Sequence, residues 1–294
     1  MNIGEKIREL RVAKLMTQAE LAGNQITRNM LSCIENGSAN PSLSTILYIA
    51  GRLNVPVGFL LADEGDEVVY RKMNSMPNIK RAYTAGDWWG CRSLCLSGCP
   101  EADDEIGLLL ADCDTGIAVE EFERGRLHSS CRFFDEALNY AAKTIYPTEH
   151  ITAKASVYFR YMQRLSATLY SDVIDADSST GVRWESLFSD YVDVLESLDR
   201  GEHESAISFL EKYASGGFCT EHIRVRLLMD SRHFDEAKRV LQNLLAAEEP
   251  LSKVSLYAVL CELEICCRET DDYKNAYSHA TEKVQLLEEL LREV

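Results

Sequence analysis

The chain has 294 residues and a formal net charge of −16, with 46% hydrophobic and 27% charged residues. This composition is that of a folded globular protein longer than one average domain, and it excludes wholesale disorder. No apolar run approaches the roughly 18 residues of a membrane helix, and the first residues, MNIGEKIREL, lack a signal peptide's apolar segment, so we expect a cytoplasmic protein without a membrane partner.

The charge is divided unevenly along the chain. Residues 1–61 contain six Lys or Arg and four Glu, which is a balance of +2 and leaves −18 for the other 233 residues. An acidic body repels a polyanion, whereas a cationic head attracts one. The split therefore predicts that any nucleic acid binds at residues 1–61.

Residues 1–61 contain the patterns of five short helices. The first has a single apolar stripe and ends near Lys14. The second begins at Thr17, with Glu20 three residues later in a capping-box arrangement, and ends near Ala22. The first two helices are therefore predicted from local signals alone.

The third helix is predicted from about Thr27 to Asn36, with a glycine stop directly after it. Pro41 and Ser42 open the fourth helix, and Pro56 opens a last turn. The side chains predicted to face inward are Ile3, Ile7, Leu10 and Arg11 of the first helix and Ile46, Ile49, Ala50 and Leu53 of the fourth, and the last turn contains Phe59 and Leu60. Two short helices joined by a tight turn inside such a domain form a helix-turn-helix arrangement.

Four segments in this region, IGEKIRELR, TQAELA, LSCIENG and PSLSTILYIAGRLNVP, closely resemble the phage-repressor-like (XRE/Cro) helix-turn-helix family in order and spacing. The resemblance spans residues 3–61 and implies a five-helix, lambda-repressor-like DNA-binding domain. The segment from Ala22 to Leu31 is one residue shorter than in the lambdoid repressors. In that respect the chain is similar to the Rgg- and PlcR-like regulators of Gram-positive bacteria.

The start of the third helix is polar, and in a helix-turn-helix domain this end meets the base edges in the major groove. Arg28 has a planar fork that suits guanine O6 and N7, and Asn29 can pair with adenine N6 and N7. Ser32 and Cys33 lie one turn further on, within reach of a base or a thymine methyl group. The alternative is a solvated helix start without a ligand.

The resemblance adds further candidates and one structural pair. Gln18 matches the family's phosphate-contacting glutamine, and Asn36 and Ser38 are placed for the sugar-phosphate strand. In this family the glutamate that matches Glu35 pairs with the arginine that matches Arg11, which locks the first helix to the third. The predicted DNA-binding residues are Gln18, Thr27, Arg28, Asn29, Ser32, Cys33, Asn36 and Ser38.

Residues 62–78, ADEGDEVVYRKMNSMPN, are predicted to be a connector that has one or two helical turns and ends at Pro77. Residues 79–294 contain five segments with a shared pattern around a small residue, separated by 39, 76, 31 and 39 residues. Such a period resembles tetratricopeptide repeats, and the 76-residue interval is expected to contain a degenerate unit. The small residues are Cys91, Ser130, Ala206, Ala237 and Ala276.

The alternative for residues 79–294 is an irregular helical bundle. The last helix, ending in EKVQLLEELLREV, is acidic and leucine-rich, and it either caps the repeats or pairs with a second chain. The fold class that we predict is all-α: the lambda-repressor-like domain followed by a tetratricopeptide-like α-solenoid that provides dimerisation and ligand or partner binding.

Chemistry beyond binding is not predicted. Cys91, Cys95 and Cys99 are spaced by four, which favours packing on one helix face over a zinc site. The chain has no Walker loop, GxGxxG, GxSxG or HExxH motif, so we expect no enzyme activity, no cofactor and no metal. A metal or redox sensor that uses the cysteines is the minor alternative.

These observations predict a homodimeric transcription regulator that binds double-stranded DNA at a two-fold operator. By resemblance, the repeats would bind a short signalling peptide or a protein in their groove. The alternative is a protein-interaction adaptor that the N-terminal domain anchors to DNA.

Overall fold

The computed structural model describes residues 2–62, 64–99, 102–165, 185–214 and 217–292. In these ranges the backbone forms sixteen α-helices and no strand, which confirms the all-α prediction. The helices are α1 Ile3–Ala13, α2 Gln18–Ala22, α3 Arg28–Glu35, α4 Leu43–Leu53, α5 Val57–Leu61, α6 Glu64–Thr84, α7 Trp88–Gly98, α8 Asp104–Glu123, α9 Leu127–Ala141, α10 Glu149–Leu165, α11 Leu187–Asp199, α12 Glu204–Lys212, α13 Phe218–Asp230, α14 Phe234–Leu245, α15 Lys253–Glu269 and α16 Tyr273–Leu291. None of these described helices has both the length and the apolarity that a bilayer span requires.

The helices divide into two compact units. The first comprises Met1–Ala85 and Ser93–Ala102, and the second comprises Gly86–Arg92 and Asp103–Val294. The predicted inward apolar residues of α1 and α4 are confirmed, because five of them are buried in one cluster and the other two, Ile3 and Leu10, pack against it. The first five helices therefore form a core of their own within the first unit.

Helices α1 and α3 cross at very close range. Gly4 is buried on α1, and a Cβ atom added there would collide with the backbone carbonyl of Ile34 on α3. Only a glycine lets the two backbones approach this closely. This contact sets the distance between α3 and the body of the domain.

The predicted connector is wrong for most of its length, because residues 64–84 form the single helix α6 with Pro77 in its interior. Proline removes one hydrogen bond from a helix, so we had expected an end there. Tertiary packing outweighs that loss: Tyr70 meets the ring of Phe59 edge-on at 6.3 Å, and Ile79 is fully buried. Helix α6 belongs to the same compact unit as α1–α5.

The second unit is built mainly from antiparallel helix pairs, which confirms the predicted helical-repeat arrangement. The pairs are α8 with α9, α11 with α12, α13 with α14, and α15 with α16. The interval of 76 residues contains α10, and residues 166–184, where the rest of the degenerate unit was expected, lie outside the described residues. All five small residues are buried, and the Ser130 hydroxyl donates to the Ala118 carbonyl at 2.8 Å across the α8–α9 contact.

A left-handed turn precedes each of the five helices that carry a small residue. The turn residue has φ between 58° and 79° and lies five positions before the small residue in every case. These turn residues are Gly86, Gly125, Gly201, Arg232 and Asp271. The repeat is therefore a chain reversal of fixed geometry followed by a close helix contact.

Within the second unit, the last helix pair packs against the first helix pair, since α15 contacts α8 and α16 contacts α9. The turn at Gly125 fits this contact closely, because a Cβ atom there would lie 2.9 Å from Leu290 and from Lys253. Leu286 and Leu290 of α16 are buried in the same core cluster. Of the two options for the leucine-rich helix, these residues favour the cap.

Aromatic rings fill the core of the second unit. Phe122 of α8 meets Tyr158 and Tyr161 of α10 at 5.0 and 5.8 Å, and Phe188 of α11 lies 4.8 Å from Tyr158. Tyr191 is completely buried beside them, and its hydroxyl lies 2.7 Å from Nδ1 of His222 on α13. The inner helices are thus held by ring packing as well as by aliphatic contacts.

Of the cysteines at spacing four, Cys91 and Cys95 lie on α7 and are fully buried, and Cys99, directly after the helix, is nearly so. Across the described part of the chain, no three His, Cys, Asp or Glu side chains are grouped so that they would hold a metal ion.

Candidate nucleic-acid interface

Helices α2 and α3 form the two arms of a helix-turn-helix motif. Helix α2 has the predicted capping box, in which Thr17 and Glu20 exchange side-chain and backbone hydrogen bonds. Its end is held from α4, because Tyr48 donates to the Ala22 carbonyl at 3.0 Å and Arg52 donates to the Glu20 carbonyl. The orphan carbonyls of this short helix are thus satisfied by tertiary contacts.

Tyr48 and Arg52 were not among the predicted site residues. They are four residues apart and therefore lie on one face of α4, beside its buried stripe. That spacing is the sequence signal for them, because it places an aromatic and a cationic side chain together at the edge of the buried stripe. Their role is to fix the turn that aims α3.

The start of α3 is capped by Thr27, whose hydroxyl accepts a hydrogen bond from the Met30 amide at 3.1 Å. The cap leaves the hydroxyl hydrogen of Thr27 available as a donor. Arg28 and Asn29 follow directly and are exposed, as is Cys33 one turn later. The helix start thus presents the donor and acceptor groups that the sequence predicted for base edges.

A buried ionic network fixes α3 to α1. Arg11 donates to both carboxylate oxygens of Glu35, at 2.7 and 3.0 Å, and to the Met16 carbonyl at 2.9 Å. Burial alone would raise the pKa of Glu35, but the hydrogen bonds from Arg11 and Gln18 and the charges of Arg11 and Arg8 outweigh it and lower the pKa. The Arg11–Glu35 pair implied by the family resemblance is confirmed.

Two predicted phosphate-contacting residues are already engaged. The side-chain amide of Gln18 donates to Glu35 at 2.8 Å, and the Ser38 hydroxyl donates to the Cys33 carbonyl at 3.0 Å. A hydroxyl has one hydrogen, so Ser38 must turn away from this carbonyl before it can donate to a phosphate oxygen. Ser32 is half-buried, and Asn36 at the end of α3 is exposed.

The cationic head is smaller than the sequence suggested. Lys6 is only 2% exposed, and its ammonium donates to the Ala62 carbonyl at 2.6 Å. Arg11 and Arg52 are likewise committed to partners inside the domain. Arg52 is nevertheless exposed, as are the other three cations of residues 1–61, Arg8, Lys14 and Arg28.

These contacts define the class of the first unit. It contains a helix-turn-helix domain in which a capped second helix presents Arg28 and Asn29 from a small, independently packed core. The profile of the helix-turn-helix family matches residues 7–60, which contain both arms of the motif and the Arg11–Glu35 pair.

A curated protein aligns with part of this chain. The immunity repressor protein of Bacillus phage phi105 is 35% identical over 65 residues, which is 22% of this chain and 45% of the repressor. The aligned part of the chain thus spans about half the length of that relative.

Two solved structures align over nearly the whole chain. PlcR of Bacillus thuringiensis, in complex with a peptide and DNA, is 12% identical over 99% of both chains, with a TM-score of 0.25. The apo form of the competence regulator ComR from Streptococcus vestibularis is 17% identical over 95% of this chain and 91% of that chain, with a TM-score of 0.20. At these TM-scores neither structure superposes closely on this chain.

Proposed function

We propose that the protein is a sequence-specific DNA-binding transcription regulator that acts as a homodimer on a two-fold operator. The observation that carries this proposal is the exposed pair Arg28 and Asn29 at the capped start of α3. Such a pair reads guanine and adenine edges in the major groove. The match of residues 7–60 to the helix-turn-helix family supports the same role.

The test is to screen the purified chain against genomic DNA fragments, including the region that flanks its own gene, and to measure affinity for the best fragment by fluorescence anisotropy. Arg28→Ala and Asn29→Ala should each weaken operator binding by about 1–3 kcal/mol and relax the preference at one base pair. Both side chains are exposed, so the melting temperature should stay nearly unchanged.

The matched control is Arg8→Ala, which removes an exposed arginine from α1 of the same domain. We place Arg8 against the sugar-phosphate strand, so this change should weaken operator and random DNA alike, because a phosphate contact carries no sequence information. If Arg28→Ala and Asn29→Ala also weaken both kinds of DNA equally, they do not read bases, and the proposal fails at its central point.

We infer that the dimer contact includes one face of α16. Tyr273, Tyr277 and Val284 are 64%, 77% and 51% exposed on this helix, while Leu286 and Leu290 face the core. Tyr277→Lys should convert the dimer to a monomer in sedimentation. Glu282→Lys should leave the dimer intact, because five residues advance roughly 140° beyond one full helical turn and place Glu282 on another face. A monomeric parent chain would contradict the dimer.

We infer further that the repeats bind a ligand that changes operator affinity, and the family resemblance suggests a short peptide. Linkage requires that operator DNA then change ligand affinity by the same factor. Synthetic peptides can be screened by the melting temperature of the full chain and then by operator binding. A peptide or protein that binds the repeats yet leaves operator affinity unchanged would instead support the adaptor.

A further inference from the structure

A cavity of about 410 Å³ opens between α13, α14 and α15 of the second unit. Its volume lies in the range of small-ligand sites in proteins, which is roughly 300–1,000 Å³. The aromatic ring of Phe234, the first residue of α14, forms part of its lining. The cavity combines charged and apolar side chains, and their order along the two walls suggests what it binds.

One wall belongs to α15. Glu262, Ile265 and Glu269 line the cavity, and their spacing of three and then four residues places them on one helix face. This wall has a carboxylate at each end and an apolar side chain between them.

The opposite wall has the complementary order. Arg226 and Met229 of α13 and Arg232 of the following turn line the cavity. A guanidinium group therefore lies towards each end, with the Met229 side chain between them. Asp230 also lines the cavity, but it faces an ion-pair partner, since its carboxylate lies 3.2 Å from Nε2 of His203.

At the inner end of this cavity, the charged side chains are already paired with one another. Glu262 is 7% exposed, and its carboxylate lies 3.5 Å from Arg226 and 3.7 Å from Nε2 of His222. Arg226 donates in addition to Asp199 at 3.1 Å. A ligand has little to gain here, because each charge already has an opposite charge beside it.

The outer end is different. Arg232 and Glu269 are both exposed, and neither forms an ion pair with any residue in the described part of the chain. Arg232 is held in the left-handed conformation at φ 60°, which fixes where its side chain leaves the turn. The cavity thus offers one cation and one anion, on opposite walls, with apolar side chains between them.

We propose that this cavity binds a small zwitterion with an apolar side chain, the chemistry of a free apolar amino acid. The carboxylate of the ligand binds Arg232, the ammonium binds Glu269, and the side chain packs against Met229, Phe234 and Ile265. A planar guanidinium matches a carboxylate with two parallel hydrogen bonds. This site is independent of the proposed DNA binding, because every residue in it belongs to the second unit.

The test uses L-leucine as the probe, titrated into the full chain by isothermal calorimetry at millimolar concentration. N-acetyl-leucine lacks the ammonium, and leucinamide lacks the carboxylate. Each blocked compound should bind at least about tenfold more weakly than leucine, which corresponds to one lost charge contact of about 1.4 kcal/mol.

Two variants assign the charges to the walls. Arg232→Gln should weaken leucine about tenfold but leave leucinamide unchanged, and Glu269→Gln should weaken leucine but leave N-acetyl-leucine unchanged. Arg224→Gln is the matched control, because Arg224 is also exposed, in the middle of α13, but pairs with Glu221 and does not line the cavity. It should change nothing.

Three results would overturn the proposal: no saturable heat with leucine, equal affinity for leucine and both blocked compounds, or equal sensitivity of all three compounds to each variant. Both glutamine variants remove exposed charges, so circular dichroism of each should match the parent chain. Operator binding by the same preparations separates this result from the proposed function, because a chain that binds DNA and ignores leucine refutes the cavity proposal alone.

Discussion

Replacement of Arg11 by methionine tests whether the Arg11–Glu35 network holds α3 in place. The side chain of Glu35 is 1% exposed and that of Arg11 is 13% exposed. The substitution removes both hydrogen bonds to Glu35 and leaves only the one from Gln18. Loss of one partner of a buried pair costs about 3–5 kcal/mol, and the remaining hydrogen bond places the expected loss near 3 kcal/mol.

The stability lost in Arg11→Met should depend on pH, and the direction follows from the pKa of Glu35. In the parent domain the pKa of Glu35 is lowered, so the stability it contributes is present above its unfolded pKa and disappears as pH falls through the folded pKa. In Arg11→Met, only the hydrogen bond from Gln18 and the charge of Arg8 still offset the burial of Glu35, so we expect its pKa to rise above the unfolded value of about 4.3. The variant should therefore recover stability as the pH falls from about 7 to 5.

The assay needs a probe inside the first unit, because a chain with two units does not unfold in one step. Urea unfolding followed by the methyl resonances of Leu31 and Ile34 reports on α3 at each pH. The double variant Arg11→Met with Glu35→Leu should regain most of the stability, since it leaves no buried charge. An equal loss at pH 7 and pH 5, together with no recovery in the double variant, would refute this account of the network.

Three further changes test backbone and burial effects. Leu15 is 92% exposed with φ 56°, so Leu15→Gly should stabilise the first unit by about 0.5–1 kcal/mol in the same urea assay; a loss would contradict strain at this turn. Gly4→Ala should destabilise it by about 1–3 kcal/mol through collision with Ile34, whereas Gly51→Ala, with open space around it, should be neutral or stabilising. Burial raises the pKa of Asp114 to about 6, so the second unit should lose on the order of 2 kcal/mol of stability as pH rises from about 4 to 7, and Asp114→Asn should flatten this slope in calorimetry.

The features that the sequence predicted correctly are local ones. The cap at Thr17 and the apolar stripes of the first and fourth helices involve residues at most a few positions apart. The five buried small residues were also predicted, because a Cys, Ser or Ala recurs at the same place in each repeat. Such signals do not depend on knowledge of distant neighbours.

The features that were not predicted depend on residues distant in the sequence, or on positions where another residue replaces the one that would indicate the structure. Lys6 looks like a surface cation until its partner Ala62, 56 residues away, is known. Helix α6 contains a proline that normally ends a helix, and only its contacts show why it continues. The left-handed turns were not predicted, because Arg232 and Asp271 occupy the position that is glycine in the other three repeats.

The burial of Lys6 and the pairing of Arg11 with Glu35 have a consequence for how salt affects DNA binding. Each neutralised phosphate releases bound counterions and lowers log K by about 0.9 for every tenfold rise in salt. Four cations of residues 1–61 remain exposed, and one of them, Arg28, is placed for a base, so one domain should show a slope no steeper than roughly −3 to −4. In the proposed homodimer two domains on one duplex would double this slope, so the salt dependence of DNA binding reports how many domains contact the DNA at once.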